Sequence, residues 1–495
     1  LQEVGVDKYC TNPMPNQSDI YNCTQASKCS DIVKMKQLLP NPSSEQDIVH
    51  VVLVSCPGMG HLIPLVELAK RLACYHGLEI TLLVPTLSSL PQAQKSLCET
   101  LPESVSYVFL PPPDMDDISL QITKVESLVA LTVVRSLDLV RGELKIIVGS
   151  GRRLSAIVVD FFSVDCFELA KEFDAAGYLF FASGAMILHS FFHLPKLDEM
   201  EELEEVIELP GCIPIPKTDM GDAVLNRPND AYKCLLHIGK KFHQADGILV
   251  NSFMELEEGP LKAFQDMDTI TPPVYAVGPL INMDDKGNEM ECLEWLGSQP
   301  HGSVVYISFG SGGTLTAEQT TELAMGLEMS EQRFIWVLRS PSDRRANSAY
   351  FSVHSETDPF GFLPEGFVRR TTGRGMIVDS WAPQTKILSH GSTGGFVSHC
   401  GWNSTLESVV HGVPLIAWPL FADQKMNAHM LSEGVGVALR PRGSLQTGLV
   451  GRDEVSKIIR TLMVEDAGKK VRERMKLLKS AAGRALGKDG SCHGT

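Results

Sequence analysis

From Asp47 onward, short continuous apolar runs alternate with longer stretches whose apolar residues recur every third or fourth position. The first kind reads as strands buried on both faces, the second as helices that cover them. In the first half the strand runs are Ile48 to Ser55, Ile80 to Pro85, Leu154 to Val159, Tyr178 to Ala182, Ala245 to Asn251 and Val274 to Val277. In the second half they are Val304 to Phe309, Phe334 to Leu338, Gly375 to Asp379, Phe396 to Ser398, Val413 to Trp418 and Gly434 to Arg440. The first helix opens at His61, with Leu62, Leu65, Val66, Leu68, Ala69 and Leu72 on one side and Glu67, Lys70 and Arg71 on the other. Another runs from about Ser404 to His411, with Gly412 as its C-cap. Two helices from about Arg452 complete the chain.

Strand–helix–strand repetition predicts an α/β fold with parallel sheets. Each half also starts the same way, with a strand, a Gly-rich turn and a helix. The turns are Pro57-Gly58-Met59-Gly60 and Gly310-Ser311-Gly312-Gly313. The expectation is two Rossmann-like domains facing a cleft, at 47–277 and 291–495, joined by a linker at 278–290 rich in Gly, Pro, Asp and Asn. Residues 1–46 are polar, with no basic start or apolar core of a secretory signal, and are expected to be disordered. Ser342 to Thr357 reads as a polar inserted loop.

Composition narrows the function. The chain has 495 residues, enough for two domains of roughly 200 residues each. Its net charge of −16 argues against nucleic acid or an anionic membrane as a partner. The twelve cysteines show no zinc-type spacing and suit a reducing, cytoplasmic setting. The apolar run from Leu179 to Leu194 is interrupted by Ser183, His189 and His193, so no membrane anchor is expected. Asp114-x-Asp116 has the form of a metal–diphosphate motif, but its Pro-rich surroundings make it a solvated turn.

Two places carry chemistry. The segment Trp381 to Gln424 puts His399, Asn403 and Ser404 where a parallel strand ends and a helix begins. Open α/β sheets bind ligands there, and helix N-termini favour anions. Trp381 follows a strand and can stack on a flat base; Trp402 also stands at a strand–helix junction beside polar residues, whereas Trp418 reads as core. Glu407 suits a ribose diol, and Asp423-Gln424 suit sugar hydroxyls. The segment fits a nucleotide diphosphate sugar. The second place pairs His61, at a helix N-terminus, with Asp160, at the carboxyl end of another strand. The helix dipole keeps such a His neutral, and a carboxylate behind it orients the ring and stabilises the imidazolium.

The segment W-A-P-Q, H-C-G-W-N-S, E-S, G-V-P and the closing D-Q resembles the donor-binding box of plant secondary-product UDP-glycosyltransferases (family 1). The start V-S-C-P-G-M-G-H-L-I-P and the V-V-D at Asp160 resemble the same family, so the likeness spans roughly Ile48 to Gly490. The resemblance implies the GT-B fold, with the last helix packing back on the first domain. It implies UDP-glucose as co-substrate and no metal or other cofactor. It assigns uracil stacking to Trp381, ribose contacts to Gln384 and Glu407, and the pyrophosphate to His399, Asn403, Ser404 and Ser311. Ala382 and Trp402 belong to the same box. It also implies that Asp423 and Gln424 read the sugar, the Gln being linked with glucose. His61 becomes the base and Asp160 its support, for inverting transfer. P-G-M-G-H-L-I-P-L-V-E-L-A-K-R-L and F-F-H-L-P-K-L-D most resemble the subgroup acting on hydroquinone-type phenols and monolignols, with Phe161, Phe162, Phe191 and Phe192 lining an acceptor pocket. A monomer is expected. Family members often run slightly further than Asp489-Gly490-Ser491, which implies an incomplete C-terminal helix.

Rival readings make poor fits. An NAD-dependent oxidoreductase needs G-x-G-x-x-G, and Gly58-Met59-Gly60-His61-Leu62-Ile63 lacks the last Gly. A sensor of nucleotide sugars without activity would not require both His61 and Asp160. A transferase for flavonoids, terpenoids or carboxylic acids stays open beside the phenolic reading.

Overall fold

The computed structural model describes residues 49–73, 78–87, 92–115, 124–267, 271–283, 290–342, 358–444 and 448–487. The expected tail at 1–46, residues 343–357 of the inserted loop, most of the linker after 283, and Asp116 lie outside these residues.

The strand runs of the first half become β1 (Val49–Val54), β2 (Leu78–Pro85), β4 (Arg153–Asp160), β5 (Ala176–Phe181), β8 (Gly247–Val250) and β9 (Val274–Ala276). With β3 (Val105–Leu110) they form a seven-stranded sheet in the order β3-β2-β1-β4-β5-β8-β9, every pair parallel. A small antiparallel pair, β6 (Val206–Ile207) and β7 (Ile215–Pro216), stands apart from it. The second half forms a six-stranded parallel sheet from β10 (Val304–Ser308), β11 (Arg333–Leu338), β12 (Gly375–Asp379), β13 (Thr393–Ser398), β14 (Leu415–Ala417) and β15 (Ala438–Leu439). Its order is β12-β11-β10-β13-β14-β15. Crossover helices require sheets covered on both faces, which is why these strands are apolar throughout rather than alternating.

Strand side chains point alternately to the two faces, and the cores follow that period. Val51 and Leu53 of β1 pack with helix α1 (Met59–Ala73), while Val52 and Val54 enter a different core. In β10, Val305 and Ile307 face an outer core of the second domain. Val304 and Tyr306 of the same strand join the core that also holds Val52 and Val54, so one apolar cluster runs through both domains.

Polar contacts close the same seam. Arg440 grips Asp219 with both guanidinium nitrogens, at 2.8 and 2.6 Å, and Lys425 reaches Asp222 at 2.6 Å. Arg71 donates to the Val277 and Pro279 carbonyls, which fixes the chain as it leaves the first domain.

Three expectations need correction. The strand predicted from Gly434 shrinks to Ala438–Leu439, because residues 430–434 continue a wide helical turn and Gly436 takes a positive φ of 73°. The strand runs expected from the pattern do not include β3, an edge strand whose Ser106 and Tyr107 face solvent and spoil the apolar run. The last described helix packs within its own domain: Met475, Leu478 and Ala482 lie against the helices at 402–411 and 452–464, and Lys479 donates to the His411 carbonyl.

Asp219 is buried while Arg440 is a third exposed. Arg440→Met should therefore destabilise the protein by about 2–3 kcal/mol, towards the lower end for a broken buried pair. The check is a lower melting temperature whose deficit shrinks in the double variant Arg440→Met, Asp219→Asn.

Candidate functional site

Both sheets present their carboxyl ends to one cleft, and the chemistry-bearing residues sit on the turns that leave those ends. On the first domain, β1 runs into Cys56, Pro57 and Gly58, and α1 begins at Met59, which puts His61 in its first turn. The neighbouring strand β4 ends at Asp160. Because β1 and β4 are paired in register, His61 Nδ1 and Asp160 Oδ2 meet at 2.9 Å although 99 positions separate them. The other carboxylate oxygen accepts the Phe162 amide at 3.1 Å.

Asp160 is fully buried and His61 one-fifth exposed. Burial works against charge on Asp160, but the His61 imidazole, the Cys56 thiol and the Phe162 amide outweigh it and lower its pKa. Burial also works against the imidazolium of His61. The Asp160 carboxylate and its hydrogen bond, with help from Asp423, reverse that and raise the pKa above its ordinary value of 6.5. The dipole argument alone predicted the opposite direction; a buried carboxylate in contact outweighs a partial charge. An ionised Asp160 can only accept, so Nδ1 carries the proton and Nε2 is the basic atom.

On the second domain, β13 ends at Ser398 and helix α7 (Trp402–His411) begins two turn residues later with Gly401 as N-cap. Gly412 closes α7 in the left-handed conformation, as expected. His399 is buried, and burial lowers its pKa to about 4, so it is neutral above that. Its Nδ1 has no hydrogen-bond partner. Gly310 and Gly401 flank the ring so closely that a Cβ on either would fall 2.5 or 2.4 Å from Nε2.

Gln384, Ser404 and Glu407 form one cluster: the Gln384 amide donates to Ser404 Oγ at 2.8 Å and to Glu407 Oε2 at 2.6 Å. Ala382 is buried, and Trp381 stands 40 % exposed after Ser380. Ser311 is exposed on its Gly-rich turn, where Arg339 Nη1 holds its carbonyl. Gln424 is buried, and its Oε1 accepts the Leu420 and Phe421 amides at 2.9 and 3.0 Å. Asp423 accepts from Ser183 of the first domain at 2.6 Å. Asn403 crosses the cleft to donate to the Gly60 carbonyl at 2.9 Å, one residue before His61.

Trp402 and the phenylalanines depart from expectation. The Trp402 indole is buried and its N–H donates to the Asn251 carbonyl at 2.6 Å, so it locks the domains together and is not open to a ligand. Phe161 packs edge-on against Phe191 at 4.8 Å and Phe181 at 5.6 Å, and Phe192 packs on Phe242 at 5.6 Å. Phe161 is buried in the core, and Phe191 and Phe192 are half-buried and pack against it. Phe162 alone of the four touches the His61 ring, at 5.2 Å, and it also lines a cavity of about 340 Å³ beside Leu131, Cys234 and Ile238. Trp418 packs on Phe309, in the core as expected.

Sequence reasoning missed Cys56, Ser183, Asn251 and Tyr306. Each is a small or ordinary residue inside an apolar run, and only the fold brings it beside His61, Asp423, Trp402 or Gln384. Among the described residues, no helix is long and apolar enough to cross a membrane.

Known proteins resemble this arrangement over most of the chain. The family "UDP-glucoronosyl and UDP-glucosyl transferase" matches residues 261–464. The hydroquinone glucosyltransferase of Rauvolfia serpentina is 54% identical, over 89% of this chain and 95% of that protein. The UDP-glycosyltransferase 72B1 of Arabidopsis thaliana is 52% identical, over 90% and 94%. Among solved structures, UGT2 of Phytolacca americana, complexed with UDP-2fluoro-glucose and pterostilbene, superposes with a TM-score of 0.82 at 46% identity, covering 90% of this chain and 97% of that one. A UDP-glucosyltransferase from Polygonum tinctorium, capable of glucosylating indoxyl, gives 0.84 at 45% identity, over 91% and 97%.

The close approach around His399 predicts that Gly401→Ala pushes the ring from its place. A Cβ at 2.4 Å from Nε2 should cost about 1–3 kcal/mol, read as a drop in melting temperature. The variant Gly401→Ala, His399→Ala should recover part of that loss, because the clash partner is gone.

Proposed function

Since the chain belongs to the UDP-glucuronosyl and UDP-glucosyl transferase family and is a UDP-glycosyltransferase with the GT-B fold, we propose that it transfers glucose from UDP-glucose to a hydroxyl of a small phenol, with inversion and with His61 as base. The observation that carries this is the His61–Asp160 pair held against the start of α7 by the Asn403–Gly60 contact. The similarity to a hydroquinone glucosyltransferase, and the Phe162 ring against His61, support a hydroquinone, monolignol or related phenylpropanoid as acceptor.

In this reading Nε2 of His61 takes the proton of the acceptor hydroxyl, and Asp160 stabilises the imidazolium. The freed oxygen attacks the anomeric carbon from the face opposite UDP, the bond to the diphosphate breaks, and UDP leaves with the electron pair. Charge gathered on the diphosphate is met by the N-terminus of α7, by Ser404, and by His399 as a neutral donor that costs no charge repulsion with His61. Ser311 and Asn403 reach the same anion, Asn403 through whatever donor capacity the Gly60 carbonyl leaves. Trp381 stacks on uracil, Gln384 and Glu407 hold the ribose, and Asp423 with the amide nitrogen of Gln424 reads the glucose hydroxyls. Trp402 acts here through the domain contact rather than by touching the donor. These donors do the work that a bridging cation performs elsewhere, so transfer proceeds without metal.

The test is UDP release from UDP-glucose with a panel of phenols in EDTA. Acceptor-dependent release that falls about 10³-fold in His61→Ala supports the reading. UDP binding without release with any acceptor would make the protein a sensor. Release only with steroids or carboxylic acids would overturn the phenol, and loss of release in EDTA would overturn the metal-free step.

A second test uses pH. The base must be neutral, and its pKa is raised, so kcat/KM should climb with pH through a limb lying above 6.5. Asp160→Asn removes the carboxylate that raises it; burial then dominates and the limb should move to lower pH, while kcat falls by roughly 10³-fold or more. An unmoved limb would show that His61 is not the group titrating.

A further inference from the structure

Cys56 has no part in the mechanism above, yet it lies beside its centre. It follows the end of β1 and is fully buried, with a long hydrogen bond of 3.6 Å to the Pro57 carbonyl and another to the Asp160 carboxylate. Its Sγ, a ring nitrogen of His61 and a carboxylate oxygen of Asp160 all lie within 4.8 Å of one another. Thiol, imidazole and carboxylate together are a donor set for zinc-like cations.

We propose that Cys56, His61 and Asp160 form an inhibitory site for a thiophilic divalent cation, Zn²⁺ or Cd²⁺, which holds the catalytic base as a ligand and stops transfer. The proposal rests on His61 being the base; the metal site itself does not.

The geometry is close to what such a cation needs. Bond lengths of about 2.0–2.3 Å place neighbouring ligand atoms of a tetrahedral site roughly 3.3–3.6 Å apart. The 2.9 Å contact between His61 and Asp160 must open slightly, and the widest separation in the trio, no more than 4.8 Å, must contract by at most about 1 Å. The fourth position falls to water or to an acceptor oxygen. Binding releases one proton, from the Cys56 thiol to solvent. The neutral His61 keeps its proton count but changes tautomer: Nδ1 gives its proton up to bond the metal, and Nε2 gains one. A ring protonated at Nε2 cannot accept from the acceptor hydroxyl, so inhibition follows from the bond and not from blocked access. Burial opposes a bare thiolate at Cys56, which selects for cations that bind sulfur tightly. Mg²⁺ prefers oxygen and water and should not compete.

The experiment uses the full chain with UDP-glucose and hydroquinone, titrating Zn²⁺ and, separately, Mg²⁺. Each variant is scored against its own metal-free rate. Wild type should be inhibited by Zn²⁺ and not by Mg²⁺, and Cys56→Ser should need at least tenfold more Zn²⁺ for the same inhibition. Binding is read independently of turnover by the near-ultraviolet thiolate-to-cadmium absorption of the Cd²⁺ complex. The band should lose the contribution of one thiolate in Cys56→Ser and keep it in Cys234→Ser, a half-buried thiol elsewhere. If Cys56→Ser does not fold, His61→Ala should still weaken Cd²⁺ binding at least tenfold. Equal Zn²⁺ sensitivity in wild type and Cys56→Ser, no inhibition of wild type, or a cadmium band undiminished in Cys56→Ser or unweakened in His61→Ala overturns the proposal. A protein that binds cadmium as described but transfers no glucose would instead overturn the functional reading and leave the site.

Discussion

The contact between the Asn403 carboxamide and the Gly60 carbonyl is the hinge of the arrangement. One end belongs to the first turn of α7, the other to the turn that delivers His61. Neither domain has a complete site. A parallel sheet offers only its carboxyl edge to a ligand, so two such edges must be set opposite each other and held. The indole of Trp402 on the Asn251 carbonyl, Ser183 on Asp423, and Arg440 on Asp219 hold them. The apolar cluster shared by both domains supplies the area, and these polar contacts supply the register.

Within that frame two histidines are tuned in opposite directions by their surroundings. His61 has a buried carboxylate at 2.9 Å and is made more basic. His399 is buried without a charged neighbour and falls to about 4. In the proposed transfer one residue type thus serves two ends: a base that can hold the incoming proton, and a neutral donor that adds no positive charge to repel it. An acidic chain can manage an anionic donor this way, because the positive potential comes from a helix end and neutral N–H groups rather than from lysines.

Much of this was legible in the sequence, and what was not has a physical cause. Parallel strands buried on both faces leave long apolar runs, so β1, β4, β10, β12 and β13 could be placed to within a residue or two at most ends. An edge strand such as β3 has one side in water and loses the signal. Likewise, His61 and Asp160 could be brought together because both stand at carboxyl ends of strands in one sheet. The fate of aromatic residues was not legible. Phe161 and Phe162 are adjacent, and whether each faces the core or the cleft depends on the 3₁₀ helix at Phe161–Cys166 that begins directly after β4. Trp402 misled for a related reason: a junction beside polar groups is also where two domains touch.

The turns that carry the second-domain residues explain why the site is built on a sheet. Ser380, Cys400 and Ala422 adopt left-handed backbone conformations with φ between 56° and 62°, although none is glycine. They stand directly beside Trp381, His399 and Asp423. Such a conformation costs a residue with a Cβ on the order of 1 kcal/mol or slightly more. A free loop would relax out of it. Here each turn is bound at its root: Ser380 donates its amide to the Leu338 carbonyl, the Cys400 amide meets Ser398 Oγ while the Asn427 side chain holds the Cys400 carbonyl, and before Ala422 the Leu420 and Phe421 amides donate to Gln424 Oε1. The strands and the helices after them are packed on both faces, so they can impose the conformation and keep it. The strain is local, the restraint is global, and the result is that an indole, an imidazole and a carboxylate enter the cleft at directions that unstrained turns would not give them.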